Sequence, residues 1–134
     1  MGQAEAGQAM NYGLLMPCKI VQVIDATHYA VALAGQVEIE IHLMEVRANG
    51  ITAPKVIDQI EATLKAERRL ACWLPVPEHD RGWFLGLRPG CSFAGDLILA
   101  SESLTQKLAS KAILVRLGAS IEWRGEEWVR TWSL

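Results

Sequence analysis

The sequence predicts a mainly β fold that also contains two helices (α+β). Three runs of strand-forming residues lie close together in residues 18–43. In the third run, Ile39, Ile41 and Leu43 alternate with polar residues, a period of two that turns one face to a core and the other to water. Two later segments carry helical spacing or a helix-capping pattern. We therefore expect a three-stranded meander followed by helices and further strands.

Composition narrows the class of protein. At 134 residues, about half of them hydrophobic, the chain suits one folded domain with one core. Its formal net charge is −2, without a basic stripe, which argues against a dedicated duplex-DNA binder. Three widely spaced cysteines without a C-x-x-C pair indicate a reduced, cytoplasmic protein rather than a zinc site or a disulfide framework. No signal-peptide pattern opens the chain, and no apolar run approaches the ~20 residues that span a bilayer, so no membrane partner is expected.

The segments around the first strands carry turn-forming and small residues. Residues 1–16 carry many small and polar residues and predict a mobile N-terminal arm. Residues 34–35 (Ala-Gly) fit a tight reversal, because Gly accepts positive φ, and a second break lies at residues 25–27. A loop follows at residues 44–53, with Asn-Gly at residues 49–50 as its turn signal.

A first helix is predicted to begin between Thr52 and Pro54, because Thr can cap a helix and Pro is tolerated in the first turn. Glu61 and Lys65 are spaced for an i,i+4 ion pair. Its core-facing positions have helical spacing: Val56, Ile57, Ile60 and Leu64.

Short strands, turns and one more helix are predicted in the second half. The expected elements, in order, are a strand at 70–74, a turn at 78–82, a strand at 83–87, a loop at 88–95, a short extended piece at 96–99, a helix from the capping box at 103–106 to about Lys111, a strand at 112–117, and a hairpin at 119–134 with its turn at 124–126.

The order strand–strand–strand–helix–strand–strand–helix is that of an OB-type barrel. In detail the pattern resembles the staphylococcal-nuclease-like (thermonuclease) family. The run V-I-D-A-T-H at residues 23–28 stands where that family's first strand ends in V-I-D-G-D-T, and H-L at residues 42–43 stands where its third strand ends in R-L. The resemblance implies a five-stranded OB-type, staphylococcal-nuclease-like barrel over residues 17–118, with residues 119–134 as a Trp-rich hairpin packed on it.

The same resemblance implies that the catalytic residues are mostly replaced. The family's first metal-binding aspartate corresponds to Asp25, but the second carboxylate corresponds to Thr27, a catalytic arginine to His42 and a further aspartate to Arg47. Arg81 precedes the glycine of its turn instead of following it. Because this hydrolysis needs a carboxylate-held Ca²⁺ and cationic clamps together, we expect no catalysis, no metal and no cofactor.

Several polar residues also have an ordinary structural interpretation, which we favour. Asp25 is interpreted as a turn residue, because Asp side chains bond nearby backbone amides. Cys72 and Cys91 are interpreted as buried small hydrophobes. Three histidines could form a general-base or metal cluster, but their spacing gives no ligand motif, and they are interpreted as solvated or strand-edge residues: His28, His42 and His79.

Aromatic residues in strand-like runs are interpreted first as core packing. This applies to Trp73, Trp83 and Phe84. The alternative is a base-stacking face, since OB barrels bind single strands through aromatic residues. Three residues would supplement such a face: Tyr29, Arg81 and Arg88.

The tail concentrates tryptophans and an arginine in ten residues: Trp123, Trp128, Arg130 and Trp132. The hairpin either covers the core or forms an interface, because Trp and Arg are enriched at protein–protein hot spots. A β-rich tail can also dimerise by pairing its edge strand.

These observations predict a non-catalytic binding module that acts through protein–protein contact or self-association, with a protein partner favoured by the near-neutral charge. Two alternatives stay open. One is a divergent Ca²⁺-dependent endonuclease that recruits Glu45 or Asp80 beside Asp25. The other is an OB-type single-stranded nucleic-acid binder.

Overall fold

The computed structural model describes residues 11–33, 37–75, 89–100, 102–117, 119–124 and 127–132, and for residues 11–12, 119–124 and 127–132 it describes the backbone alone. Over these residues the fold is mainly β with two helices, which confirms the predicted class. Its elements are β1 (Asn11–Asp25), β2 (His28–Leu33), β3 (Glu38–Leu43), β4 (Val46–Ala48), α1 (Pro54–Ala66), β5 (Ala71–Pro75), β6 (Ser92–Ile98), α2 (Leu104–Ser110), β7 (Leu114–Arg116), β8 (Ala119–Arg124) and β9 (Glu127–Trp132).

β1 organises the main sheet because it pairs with three other strands. Residues 18–25 pair with β2, residues 13–17 with β5, and residues 11–12 with β9. Two register irregularities against β2 bend the strand, as β-bulges do. The strand order is β2-β3-β6-β5-β1-β9-β8, with an additional pairing of β2 with β1. The pairings of β1, β2, β3, β6 and β5 therefore form a closed circuit that returns to β1.

β1 begins earlier than the sequence predicts. Residues 11–16 fall within the expected N-terminal arm but form the start of this strand. They are ordered by partners distant in the chain, β5 and β9, which local composition does not reveal. The other part of the expected arm, residues 1–10, lies outside the described residues.

β6 corrects the expectation of a loop at residues 88–95. The strand begins at Ser92, pairs in parallel with β3, and pairs antiparallel with β5. Gly95 and Asp96 lower the strand propensity of this segment. Gly95 is nevertheless required, because a Cβ there would overlap the backbone carbonyl oxygen of Trp73. The strand expected at residues 83–87 and the turn at residues 78–82 lie outside the described residues.

α1 agrees with the predicted helix except at its cap. Pro54 occupies the first turn, but the N-cap is Ala53 without a side-chain hydrogen bond, so the expected capping by Thr52 is wrong. Ile60 and Leu64 are buried against the sheet. Lys65 Nζ lies 3.3 Å from a Glu61 carboxylate oxygen, which confirms that ion pair.

α2 has the capping box that its sequence predicts. The Ser103 hydroxyl accepts a hydrogen bond from the Gln106 backbone N–H at 3.0 Å, and the Gln106 side-chain oxygen accepts one from the Ser103 N–H at 3.2 Å. The strand expected at residues 112–117 is present as β7. Its partner β4 lies inside residues 44–53, which were expected to be a loop, so that expectation is wrong for β4. β8 and β9 form the expected C-terminal hairpin.

The core lies inside the closed circuit of strands, with α1 and α2 against it. Buried residues come from alternate positions of β2 and β3 and from both helices. Among the described residues, no helix is both long and apolar enough to cross a membrane.

Candidate functional site

The turn between β1 and β2 holds Asp25, the position of the resembled family's first metal-binding aspartate. Its Oδ1 accepts hydrogen bonds from the backbone N–H and the hydroxyl of Thr27, both at 2.8 Å. This is an Asx-type turn, in which the aspartate side chain holds the backbone two residues further on. The interpretation of Asp25 as a turn residue is confirmed.

The other positions implied by the resemblance do not assemble a carboxylate site in the described part of the chain. His42 and Arg47 are both exposed, on β3 and β4. Among the described residues, Asp25 belongs to no group of three or more side chains that could hold a metal ion. Glu45 is half-buried in the turn between β3 and β4, with a φ of 55°. Asp80 lies outside the described residues.

Two histidines and a glutamate converge on the outer face of β2 and β3. The strand register pairs His28 with His42, and their rings stack with centroids 3.9 Å apart and 27° between their planes. The Nε2 atom of His28 lies 2.8 Å from Oε1 of Glu40. The ligand atoms of all three side chains lie within 4.8 Å of one another. The fold thus brings together three metal-ligating side chains whose spacing along the chain gives no motif.

The length of the connection between β2 and β3 explains why the sequence pattern does not predict this cluster. A two-residue reversal at residues 34–35 would place His28 opposite an inward-facing isoleucine. Instead, the N–H of Leu33 donates to the carbonyl oxygen of Val37 at 2.8 Å, so three residues separate the paired ends and His28 faces His42. A register shifted by one residue would set the apolar positions of one strand opposite the polar positions of the other, but a register shifted by two residues would not, so the alternation alone did not fix this pairing.

Tyr29 contradicts its expected place on an open binding face. The side chain is fully buried, and its hydroxyl donates to the carbonyl oxygen of Ala26 at 2.7 Å. Burial, with the nearby carboxylates, raises the pKa of Tyr29. The reason is the alternation of β2, which turns residues 29, 31 and 33 to the core. Tyr29 is therefore a core residue and is not part of an exposed face.

The structure describes the side chain of only some of the remaining aromatic and basic candidates, and for others it describes the backbone alone or nothing. Trp73 is fully buried, which confirms its interpretation as packing. In the tail, the backbone register of β8 and β9 pairs Trp123 with Trp128 and continues without a shift to Trp132. Arg130 pairs with Asn11 of β1. The candidates outside the described residues are Arg81, Arg88, Trp83, Phe84 and His79.

A groove with basic walls lies between the end of α1 and the strands β1 and β2. It encloses about 1020 Å³. Four cationic residues line it together with Glu67: Lys19, Lys65, Arg68 and Arg69. Cations at the end of a helix also complement the partial negative charge of its last carbonyls. The groove therefore has a structural explanation as well as a functional one.

Comparison with known proteins adds no family assignment. No protein-family model matches the sequence, and no curated protein is significantly similar to it.

Proposed function

We propose that this protein is a non-catalytic binding module of the OB type that self-associates through its C-terminal hairpin. The closed circuit of β1, β2, β3, β6 and β5 supports the OB-type architecture, as do the parallel pairing of β3 with β6 and the position of α1 between β3 and β5. A staphylococcal-nuclease-like origin is part of the same proposal and rests on the sequence pattern.

The absence of catalysis in this proposal is supported by the surroundings of Asp25. One of its carboxylate oxygens holds the turn through Thr27, and Arg47 brings a positive charge where the resembled design has an aspartate. A hard cation such as Ca²⁺ needs several oxygen ligands, and the described residues offer no such set around Asp25.

The observation that carries the self-association proposal is the position of β8 in the main sheet. Among the described strands of that sheet, β8 alone has a single partner, β9. The outer edge of such a strand presents backbone donors and acceptors to any further strand. A second copy of the chain can add its own β8 across a two-fold axis, which gives a closed dimer.

The sequence of β8 suits antiparallel pairing with a second copy of itself. If the two-fold axis passes at Trp123, residues 122–124 of the two chains pair with each other, and each Glu122 lies opposite Arg124 of the other chain. Opposite charges that face each other across strands stabilise a pair, whereas like charges destabilise it. The same register places the two copies of Trp123 opposite each other, and aromatic pairs are favourable at such positions.

The test is the molar mass in solution across a range of concentrations, measured by sedimentation. We expect a concentration-dependent rise toward twice the 14.8 kDa of the chain. Glu122→Lys should shift the equilibrium toward monomer, because it sets two cations opposite each other. Adding Arg124→Glu to that variant should restore the dimer by reversing the pair.

The matched control is Asp58→Lys, which changes the net charge equally at an exposed position of α1. It should leave the mass distribution unchanged. A monomer at every concentration would refute self-association. So would a double variant that associates no better than Glu122→Lys alone.

The basic groove favours a second candidate function, the binding of a single-stranded nucleic acid. Phosphates would be attracted to Lys19, Arg68 and Arg69, and binding would weaken steeply with salt. Titration of labelled single- and double-stranded DNA, with and without Ca²⁺, tests this by fluorescence anisotropy and by a gel of the same samples. Arg68→Gln combined with Arg69→Gln should abolish binding, whereas Arg47→Gln should not.

The same titration tests the endonuclease alternative. Cleavage that depends on Ca²⁺ and disappears in Asp25→Ala would show an enzyme and overturn the non-catalytic proposal. Binding without cleavage would favour the nucleic-acid candidate. The absence of both would leave self-association as the function to pursue.

A further inference from the structure

We propose that His28, Glu40 and His42 form a binding site for a divalent transition-metal ion of the zinc class. The site lies on the outer face of β2 and β3, and it is independent of the proposed self-association through β8. Two imidazoles and one carboxylate are a recurrent ligand set for Zn²⁺, in which three protein ligands leave a further position for water or a substrate.

The geometry of the cluster is close to what the ion requires. Zn²⁺ binds nitrogen and oxygen ligands at ~2.0–2.2 Å, so the ligand atoms of a tetrahedral site lie ~3.4 Å apart. The Nε2 of His28 and the Oε1 of Glu40 are already 2.8 Å apart, and no pair of ligand atoms in the cluster exceeds 4.8 Å. The site would close by rotation of these side chains, which must separate the stacked rings of His28 and His42.

The backbone that carries these ligands is firmly held. His28 and His42 are direct cross-strand partners, and Glu40 is two residues from His42 on the same face of β3. β3 is flanked by β2 on one side and by β6 on the other. Sites on paired strands hold ligand geometry better than sites on loops. Of the three side chains, that of His42 is exposed and that of Glu40 is 40% exposed.

Small residues leave the approach to the cluster open. Ala30 pairs with Glu40, and on the other side of β3 the partners are Ser92 for Glu40 and Ala94 for His42. Three of the outward neighbours on these strands are therefore alanine or serine. An ion bound here has room to keep one or two waters or to accept a ligand atom from solution.

The ligand types select the ion. Imidazole nitrogen suits Zn²⁺, Cu²⁺ and Ni²⁺, whereas Ca²⁺ and Mg²⁺ prefer sets made of oxygen alone. With two nitrogens out of three ligands, we expect Zn²⁺ to bind and Ca²⁺ and Mg²⁺ not to compete. This distinguishes the site from a carboxylate site centred on Asp25.

The competing explanation is that the contacts among these three side chains only stabilise the sheet and that the side chains bind no ion. The His28–Glu40 hydrogen bond and the stacked rings could act as cross-strand pairs, which stabilise a sheet by a few tenths of a kcal/mol to ~1 kcal/mol each. Under that explanation, Zn²⁺ would not bind at this face with the stoichiometry of one ion per chain.

The experiment is a calorimetric titration of the full chain with Zn²⁺, together with NMR of the histidine rings. We expect one ion per chain and selective shifts of the His28 and His42 imidazole signals. His28→Ala, His42→Ala and Glu40→Gln should each weaken binding by at least about tenfold, since even changes outside the ligand shell cost about 10- to 100-fold in metal affinity. The NMR measurement needs no variant and therefore does not depend on how well a variant folds.

The matched control is Glu38→Gln, which removes an exposed carboxylate two residues before Glu40 on the same strand. It should leave the affinity unchanged. Because the chain has three cysteines, Co²⁺ is used as a second probe, and its spectrum should show nitrogen and oxygen ligands without a thiolate charge-transfer band.

Three results would overturn the proposal. Zn²⁺ affinity could be the same in the histidine variants as in the natural chain. Binding could disappear only when the thiols are alkylated, which would place the ion at cysteine. The third result is that the ring signals of His28 and His42 stay unchanged when Zn²⁺ is added.

Discussion

The indole ring of Trp73, on β5, lies directly against the backbone of Gly13, on β1. A Cβ atom added at Gly13 would overlap three atoms of that ring. Trp73 is fully buried and packs with Ile98 and Met44 in a second small cluster, separate from the main core. The absence of a side chain at Gly13 is therefore what allows β1 to pass close over the largest buried side chain of the described residues.

Gly13→Ala should destabilise the fold. The added methyl group forces Trp73 or β1 to move, and overpacking of this kind costs ~1–3 kcal/mol. Denaturant unfolding at neutral pH measures the loss. The cause is tested by Trp73→Phe, whose smaller ring makes room. In the double variant the cost of Gly13→Ala should shrink, so that the two effects are not additive. Strict additivity would contradict the proposed clash.

Asp96 should make stability depend on pH in an unusual direction. Burial raises the pKa of this carboxyl group to about 7, although its Oδ1 accepts hydrogen bonds from the N–H groups of Leu97 (2.7 Å) and Thr105 (3.3 Å). Between the unfolded pKa of ~4 and about 7, the folded state keeps a proton that the unfolded state releases. The contribution of Asp96 to stability is therefore full below pH ~4, falls as pH rises through this window, and stays low above it.

Asp96→Asn removes this titration. The free energy of unfolding of the variant, relative to the natural chain, should rise by up to ~3 kcal/mol between pH 5 and pH 8. Urea unfolding at several pH values measures the difference. Asp58→Asn, at an exposed position of α1, should run parallel to the natural chain throughout. A constant difference for Asp96→Asn would show that its carboxyl group does not titrate in this range.

The parts of the fold that follow from local pattern were predictable. The alternation in β3, the apolar spacing of α1 and the capping box at Ser103 each depend on residues close in the chain, and each is confirmed. The start of β1 and the strand β6 depend on distant partners. In β6, Gly95 and Asp96 oppose strand formation locally, and only pairing with β3 and β5 overrides them.

The candidate site shows the same division. The turn at Asp25 was predictable, because it is closed by a residue two positions on. The cluster of His28, Glu40 and His42 was not, because it depends on the register of a hairpin whose loop has three residues instead of two. A single-residue change of register moves every side chain of a strand to the other face. Register, rather than residue type, therefore limited what the sequence could tell about this site.

Glu61 should stabilise the fold only while it is ionised. The hydrogen bond that its Oε1 accepts from the Val23 backbone N–H at 3.1 Å lowers the pKa of its carboxyl group, and the bond with Lys65 lowers it further. A lowered folded pKa gives stability that is present above the unfolded pKa of ~4.3 and is lost as pH falls through the folded value. Glu61→Gln should therefore be less stable than the natural chain at pH 7. The difference between their free energies of unfolding should shrink as the pH is lowered.

A companion variant separates the two contacts of Glu61. Lys65→Met removes the ion pair but leaves the bond to Val23, so its effect on the midpoint of unfolding at pH 7 should be the smaller one. Exposed ion pairs of this spacing contribute little. If Lys65→Met matched Glu61→Gln, the link between α1 and β1 would not be the source of the effect.

The three thiols should differ in reactivity according to burial. Cys18 and Cys72 are buried side by side, and the hydrogen bond between their thiol groups, together with burial, raises the pKa of Cys18. Cys72 is buried as the sequence predicts, whereas Cys91 is only partly buried, contrary to expectation. Since the thiolate is the reactive form and a disulfide reagent needs access to it, Cys91 should react first.

Titration with Ellman's reagent at pH 8 measures this difference. The native chain should show one fast thiol, with the other two reacting only as slowly as the core opens. Native Cys91→Ser should show no fast thiol. After unfolding in denaturant, its two remaining thiols should both react. A fast thiol in native Cys91→Ser would mean that the pair between β1 and β5 opens readily. Such opening would also make these cysteines competitors for Zn²⁺, so the thiol titration precedes any measurement on the histidine cluster.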